Sequence, residues 1–208
     1  MVNISGFLKI YILNIITKPS FLVCFASAMY PFHRLVIIAG KHIFSRRKKV
    51  EDVTQKYTFH FRPGLGDIDL YPEVNNGRHF VFCDLARYDF ALKTGLVKYI
   101  KKEKFLFVVG GSTIRYRKRL RPFRKSKIVT QFVGFNKKFF YFHHAIQQNG
   151  AVSSSAIVRT GIRDKNGTID PEIVMQGLGF DVKPFMEPWV AEWINWDDET
   201  HQWPNPDN

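Results

Sequence analysis

Two carboxylates, Asp69 and Glu73, precede an Asn-Asn-Gly turn at residues 75–77. We predict that a helix begins at this turn, because a short asparagine side chain can accept a hydrogen bond from the first turn of a helix. The unpaired N–H groups at a helix N-terminus stabilise an oxyanion, and a carboxylate attacks a carbonyl carbon or deprotonates a water. We therefore predict that the two carboxylates act on an activated carbonyl group. The N–H groups would come from Asn76, Gly77 and Arg78.

Both carboxylates also have a structural interpretation. Aspartate side chains commonly accept hydrogen bonds from the N–H groups of turns, and a glutamate in a loop is usually solvated. Under this interpretation Asp69 stabilises the turn and Glu73 faces water. His79 lies one turn into the predicted helix on an apolar stripe, which favours a hydrogen-bonded core residue.

The helix predicted after the turn has signals at both ends. Asn75 or Asn76 caps its start, and Gly95 favours a left-handed stop after Thr94. Apolar residues form two stripes on nearly opposite sides, and the charged residues lie in the seams between them. One stripe holds Val81, Leu85, Tyr88 and Leu92, and the other holds His79, Cys83, Ala86 and Phe90. A helix with so few polar faces must be surrounded by other elements.

Strand-forming sequence surrounds this helix in the chain. Runs of β-branched and aromatic residues lie at 56–62, 105–116, 127–135, 139–147 and 152–162. Turn-forming residues separate them, and Asn149-Gly150 is a strong hairpin signal. One long helix followed by consecutive antiparallel strands predicts an α+β fold in which the sheet curls around the helix. Gly110 and Gly111 predict a bulge, or a close backbone contact with a substrate chain or with the central helix.

Five motifs occur in order between about residues 57 and 193. They are D-I-D-L-Y-P-E-V-N-N-G-R-H-F at 67–80, L-A-R-Y-D at 85–89, T-G-L at 94–96, S-T-I-R-Y-R-K-R-L-R-P-F at 112–123 and V-G-F-N-K-K-F-F-Y-F at 133–142. Together they resemble the hotdog-fold thioesterase superfamily, in particular its thioesterase superfamily member 6-like and 4-hydroxybenzoyl-CoA thioesterase-like proteins. The resemblance implies a hotdog fold, hydrolysis of a fatty acyl-CoA or acyl-carrier-protein thioester, no cofactor, and a homodimer.

The first motif departs from that of the related plant enzymes, which reads Asp-x-Asn-x-His before the paired asparagines. This sequence keeps Asp69, but it has Tyr71 at the asparagine position and Glu73 at the histidine position. The resemblance implies that Asp69 is the base or nucleophile, that Glu73 substitutes for the imidazole, and that Tyr71 contacts substrate. His79 is a second candidate to replace that imidazole. The incomplete motif leaves open a non-catalytic acyl-binding or membrane-associated scaffold.

The net charge of +13 is concentrated in two segments, one of which, residues 97–127, holds twelve Lys or Arg and a single Glu103. Its arginines at 115, 117, 119 and 121 would share one face of a strand. One interpretation is a solvated face. Others are docking of an acidic carrier protein, or contacts of Arg115 and Arg117 with the phosphates of coenzyme A. No nucleic-acid-binding motif accompanies the charge, so we predict no nucleic-acid partner.

The other basic segment, residues 1–50, holds eight Lys or Arg and no Asp or Glu. Its apolar runs are shorter than the roughly 20 residues that span a bilayer. We predict that this extension lies on a membrane surface, with the domain at 51–208 on the cytoplasmic face. Two alternatives stay open. Residues 26–28 are typical of a signal cleavage site, which would make the domain secreted or luminal, and residues 21–44 can fold back onto the domain.

Cysteine and histidine patterns give no metal site. Cys24 and Cys83 are far apart, and Cys83 lies on an apolar stripe, so neither a disulfide framework nor a nucleophilic thiol is expected. His143 and His144 are adjacent in a predicted strand, so they point to opposite faces and cannot bind one ion together.

The C-terminal region has tryptophans at helical spacing. They are Trp189, Trp193 and Trp196. This spacing predicts an amphipathic helix that docks its indole rings on the domain.

Overall fold

A computed structural model of the chain describes residues 32–44 and 50–200. In this part of the chain the helices are α1 (Phe32–Phe44), α2 (Asn76–Thr94), α3 (Leu96–Glu103), α4 (Pro171–Leu178) and α5 (Pro188–Asn195), with a 3-10 turn at Leu65–Asp67 and a π-helical turn at Trp196–Thr200. The strands are β1 (Tyr57–Phe61), β2 (Leu106–Tyr116), β3 (Ser126–Phe135), β4 (Phe140–Gln148), β5 (Ala151–Arg163) and β6 (Thr168–Ile169).

The strands form one antiparallel sheet in the order β1-β3-β4-β5-β2, with β6 paired to β5. The five longer strands each contribute side chains to the apolar cluster around α2, in which Phe82, Leu85 and Ala86 are at most 1% exposed. The predicted α+β fold, with an antiparallel sheet around a central helix, is therefore confirmed. Asn149 and Gly150 join β4 to β5 with φ angles of 52° and 75°, the left-handed region that an Asn-Gly pair favours.

Local sequence signals set both ends of α2. The Asn75 side chain accepts a hydrogen bond from Gly77 N–H at 2.9 Å, and Gly95 ends the helix with a φ of 83°. Both predicted ends are confirmed. The charged residues, however, do not all lie in exposed seams, because Arg87 and Asp89 are buried. Side chains on the surrounding strands are their hydrogen-bonding partners and compensate for this burial.

α1 packs against α2, as the fold-back alternative predicts for residues 32–44. Ile38 is 6% exposed and joins the cluster around Phe82 and Leu85. The Arg34 guanidinium forms an ion pair with Asp67 at 2.6 Å. The remainder of the predicted extension, residues 1–31 and 45–49, lies outside the described residues, so membrane contact and signal cleavage stay predictions. None of the described helices combines the length and the apolar character that crossing a membrane requires.

The prediction that four arginines share one face of β2 is wrong. The strand ends at Tyr116, so Arg115 is the one of the four arginines that lies in it. The chain turns here because the N–H groups of Arg117 and Lys118 both donate to the Ser153 carbonyl oxygen, at 2.8 and 3.0 Å. The other three arginines therefore lie in an exposed connection to β3 and not on a strand face.

α5 covers the face of the sheet opposite to α2. Val190 is fully buried and packs with Val133 and Tyr141. The Trp193 ring lies edge-on to the Tyr141 ring, with 6.4 Å between the ring centroids. The Trp189 ring likewise lies edge-on to the His143 ring, whereas Trp196 lies past the end of α5 and is 53% exposed, so the predicted docking is confirmed for two of the three tryptophans.

Candidate functional site

A crevice of about 220 Å³ opens at the N-terminus of α2. The loop before the helix forms one wall and the connection after β2 forms the other. The lining residues are Glu73, Val74, Asn76, His79, Tyr116, Arg117, Lys118, Arg119 and Leu120. Of the predicted site residues, the fold therefore brings Glu73, Asn76 and Arg117 together.

Backbone hydrogen bonds decide which side of the loop faces the crevice. Ile68 and Val74 form an antiparallel bridge, and Asp69 N–H donates to Glu73 O at 2.9 Å, so the loop is a short hairpin. Val74 N–H donates to Leu120 O at 2.9 Å, which joins the hairpin to the connection after β2. These bonds hold Glu73 at the crevice and leave Asp69 outside its lining.

Asp69 is exposed and binds the loop itself. Its Oδ1 accepts a hydrogen bond from Leu70 N–H at 2.7 Å, and its Oδ2 accepts one from Asn75 Nδ2 at 3.0 Å. Because Asn75 also caps α2, the Asp69 carboxylate orients the helix cap. This is the structural role that the sequence left open for Asp69. Tyr71, at the hairpin tip, is 71% exposed and does not line the crevice.

Glu73 has a carboxylate oxygen with unused hydrogen-bonding capacity. Its Oε2 lies 3.0 Å from Arg119 Nε, which is an ion-pair distance. The N–H of Arg119 is not directed at this oxygen, and Glu73 Oε2 is buried with no hydrogen-bond donor among the described residues. We interpret the contact as an electrostatic pair, which leaves this oxygen able to accept a hydrogen bond.

Two of the three predicted oxyanion donors are already occupied. Gly77 N–H donates to Asn75 Oδ1 at 2.9 Å, and Arg78 N–H donates to Asn75 O at 2.9 Å. Asn76 differs, because no described residue accepts a hydrogen bond from its N–H. The Tyr116 hydroxyl donates to Asn76 O at 3.0 Å and holds the peptide unit between Asn76 and Gly77 beside the crevice.

His79 lies at the bottom of the crevice. Its Nδ1 is 2.8 Å from Ser154 Oγ, its ring contacts the Tyr116 ring edge-on, and it is 2% exposed. Burial lowers the pKa of the imidazole to about 4, so His79 is neutral at neutral pH. The predicted core position is correct. A helical spacing of three puts His79 on the same face as Asn76, so the second candidate for the imidazole of the plant motif lines the crevice.

The predicted substrate contacts on β2 lie away from the crevice. At about 3.3 Å per strand residue, Gly110 is roughly 20 Å from Tyr116. The register of β2 against β5 shifts between Val109 and Gly111, so the predicted bulge is confirmed. An added Cβ would lie 2.5 Å from the Phe139 ring at Gly110. Packing against the Phe139 ring therefore explains the glycine at position 110. Arg115, another predicted substrate contact on β2, also does not line the crevice.

The described residues offer no metal site and no thiolate. No three His, Cys, Asp or Glu side chains within them lie close enough to hold a metal ion. Burial raises the pKa of the Cys83 thiol to about 12, so this residue is a protonated core side chain at neutral pH. His143 and His144 bond to Ser155 and Thr130, respectively.

The chain is similar in sequence to known proteins. It matches the family model of the thioesterase-like superfamily over residues 63–194. It is 30% identical to protein THEM6 of Danio rerio over 115 residues, which cover 54% of this chain and 57% of that protein. It is also 30% identical to protein THEM6 of Drosophila melanogaster over 136 residues, which cover 62% of this chain and 67% of that protein. The matched part of the chain is thus less than two thirds of the zebrafish relative.

Among solved structures, YbaW, a probable thioesterase from Escherichia coli, has a similar fold. The TM-score is 0.55 at 23% sequence identity, and the match covers 61% of this chain and 98% of that one. The residues matched by the family model include every residue that lines the crevice. With its antiparallel sheet wrapped around a central helix, this chain belongs to the thioesterase-like superfamily and has the hotdog fold.

Proposed function

We propose that this protein hydrolyses the thioester of a fatty acyl group carried by coenzyme A or by an acyl carrier protein, in the crevice at the N-terminus of α2. Membership of the thioesterase-like superfamily supports the reaction class. One observation supports the assignment of residues. Glu73 Oε2 and the Asn76 N–H, neither with a hydrogen-bond partner among the described residues, belong to residues that line the same crevice.

In the proposed reaction, Glu73 takes a proton from a water molecule while the water oxygen bonds to the carbonyl carbon of the thioester. The carbonyl oxygen becomes an oxyanion and accepts a hydrogen bond from Asn76 N–H, where the positive end of the helix dipole stabilises it. The C–S bond then breaks, and the leaving thiolate takes the proton from Glu73. The products are a carboxylic acid and a thiol.

The rim of the crevice carries positive charge that would bind the carrier. Arg117, Lys118 and Arg119 are exposed there, and the phosphate groups of coenzyme A or of a carrier's prosthetic arm would bind such side chains. Asp69 has a positioning role in this proposal, because it contacts Asn75 and not the crevice. It is also the alternative base if the substrate reaches the exposed side of the hairpin.

The test is release of free thiol from oleoyl-CoA by the full chain. Glu73→Gln should lower kcat by about 100-fold or more, the usual contribution of a general base. The matched control is Glu103→Gln on α3, which should leave the rate unchanged. Equal rates for wild type and Glu73→Gln would contradict the assignment of the base. Loss of activity in Asp69→Asn alone, with Glu73→Gln active, would transfer the role to Asp69.

A non-catalytic acyl-binding scaffold is the second candidate. Asn75 occupies the N–H groups of Gly77 and Arg78, which leaves Asn76 N–H as the one predicted oxyanion donor without a described acceptor, and Arg119 attracts the Glu73 carboxylate. In that case oleoyl-CoA would bind and be recovered intact. Thiol release above background that depends on Glu73 would rule this candidate out.

We also propose that the protein is a homodimer paired along β2. This strand is an open edge of the sheet and exposes Leu106, Phe107 and Val109, which are 65%, 41% and 53% exposed. Exposed apolar edge strands are normally covered. Val109→Lys should convert a dimer to a monomer in sedimentation equilibrium, and a wild-type chain that is monomeric at micromolar concentration would contradict the proposal.

Contact with a membrane surface on the cytoplasmic side is a further part of the proposed function. α1 exposes Val36, Ile43 and Phe44, which are 69%, 76% and 91% exposed, and carries Lys41 beside them. Such a helix would bind an anionic lipid surface through both its apolar and its basic residues. Co-sedimentation with anionic vesicles measures this membrane binding. A chain that stays in the supernatant at low salt would disprove the proposed membrane contact.

A further inference from the structure

A groove of about 440 Å³ lies between α1, β1 and the second half of α2. Small-molecule sites commonly have volumes of about 300–1,000 Å³. The groove shares no lining residue with the crevice. On α2 it reaches Lys93, which at 1.5 Å per residue is roughly 25 Å along the helix from Asn76. The groove is therefore a separate concave surface.

The floor of the groove is apolar. Ile37 and Ile38 line it from α1, Phe59 and Phe61 from β1, and Leu85 from α2. Ile37 is 52% exposed, so it presents apolar surface that no described element covers. α1 is held in place as one wall of the groove by its ion pair to Asp67 and by the burial of Ile38.

The groove is positively charged. Four cations line it, Arg34, Lys41, Arg62 and Lys93, against the single acid Asp89. Asp89 accepts a hydrogen bond from the Tyr57 hydroxyl and lies 3.6 Å from Lys93 Nζ, which itself donates to Tyr57 Oη at 2.6 Å. The acid is thus compensated inside the wall.

Two of these cations have no counter-charge among the described residues. Arg34 pairs with Asp67, whereas neither Lys41 nor Arg62 forms an ion pair with any described residue. Positive charge that lacks a counter-charge in a groove attracts an anionic ligand. An uncharged apolar ligand would leave the two cations uncompensated, and a fully polar anion would leave the apolar floor in water.

We propose that this groove binds a single-chain anionic lipid, with its hydrocarbon chain on the apolar floor and its head group at Lys41. A long-chain fatty acid anion has this chemistry. The inference goes beyond the proposed hydrolysis and does not depend on it, because no residue of the groove takes part in the crevice.

The test is titration of monomeric oleate into the full chain by calorimetry at low salt. Ile37→Ser should weaken binding by about 5-fold through lost apolar contact, and Lys41→Gln by about 3-fold through lost charge. The matched controls are Ile173→Ser on α4 and Lys98→Gln on α3, neither of which lines the groove. Both controls should bind oleate as the wild type does.

Oleyl alcohol, which has the same chain without the charge, should bind at least 3-fold more weakly than oleate. The proposal would be overturned by absence of oleate binding, by equal affinity for oleate and oleyl alcohol, or by equal effects of the groove and control substitutions. Hydrolysis of oleoyl-CoA by Ile37→Ser separates the two proposals. Its rate should stay within about twofold of wild type, because a surface substitution away from the crevice perturbs little else.

Discussion

Replacing Arg34 by methionine should weaken the attachment of α1 and lower the stability of the protein. Two Arg34 nitrogens approach the two Asp67 carboxylate oxygens at 2.6 and 3.4 Å, and the guanidinium lies 5.3 Å from the centroid of the Phe82 ring. The other bond to this carboxylate comes from Gly64 N–H at 2.7 Å. Arg34→Met keeps most of the apolar stem and removes the charge.

The magnitude follows from burial. Asp67 is 3% exposed, so its carboxylate gains little solvation when the guanidinium is lost. Removing one partner of a fully buried pair costs about 3–5 kcal/mol. The Arg34 side chain is 21% exposed, which lets some water reach the site. We therefore expect the free energy of unfolding to fall by about 2–3 kcal/mol, or Tm by about 5–10 °C for a chain of this size.

Urea unfolding followed by circular dichroism at neutral pH measures this loss. Arg62→Met is the matched control, because Arg62 is exposed and forms no ion pair with a described residue; its effect should stay within about 0.5 kcal/mol. A double-mutant cycle with Asp67→Asn isolates the pair. If Arg34→Met costs less than about 0.5 kcal/mol, or if the cycle shows no coupling, α1 is held by apolar contacts such as those of Ile38 alone.

Two further predictions concern stability. The folded pKa of His79 is about 4, below the ordinary value of 6.5, so the unfolded chain binds a proton that the folded chain does not. The contribution of this residue to the free energy of unfolding should therefore fall by up to about 3 kcal/mol as the pH drops from 6.5 to 4. Urea titrations at several pH values measure this pH dependence, and His79→Asn should reduce it. An equal pH dependence in wild type and His79→Asn would contradict the prediction. Gly134 has a φ of 144°, and an added Cβ would lie 2.5 Å from Phe185 O, whereas Gly150 has a φ of 75° with open space. Gly134→Ala should cost about 3 kcal/mol or more and Gly150→Ala about 1 kcal/mol, so equal melting temperatures would refute the packing argument.

Sequence reasoning succeeded where structure is determined locally. The cap at Asn75, the stop at Gly95 and the hairpin at Asn149-Gly150 depend on the conformations of a few neighbouring residues, and all three were predicted. The order of strands around a central helix followed from runs long enough to be recognised. The short helix α3 was missed, because its eight residues continue directly from the stop of α2.

The lining of the crevice was predicted in part. The sequence singled out Glu73 and Asn76, which line the crevice, but it also grouped them with Asp69 and with Gly110, which do not. Spacing along a loop says which residues are neighbours in the chain. It does not say toward which side of a hairpin each carboxylate points, since that depends on where the hairpin is attached.

The sequence by itself determined the family, the central helix with both its ends, and the residue types available for chemistry. Tertiary structure alone decided that Glu73 faces the crevice and Asp69 the helix cap, that β2 stops before its arginines, and that α1 forms a basic, apolar groove with β1. The physical reason is the range of the contacts involved. Val74 bonds to Leu120, Arg117 to Ser153 and Arg34 to Asp67, and each of these pairs is more than thirty residues apart in the sequence.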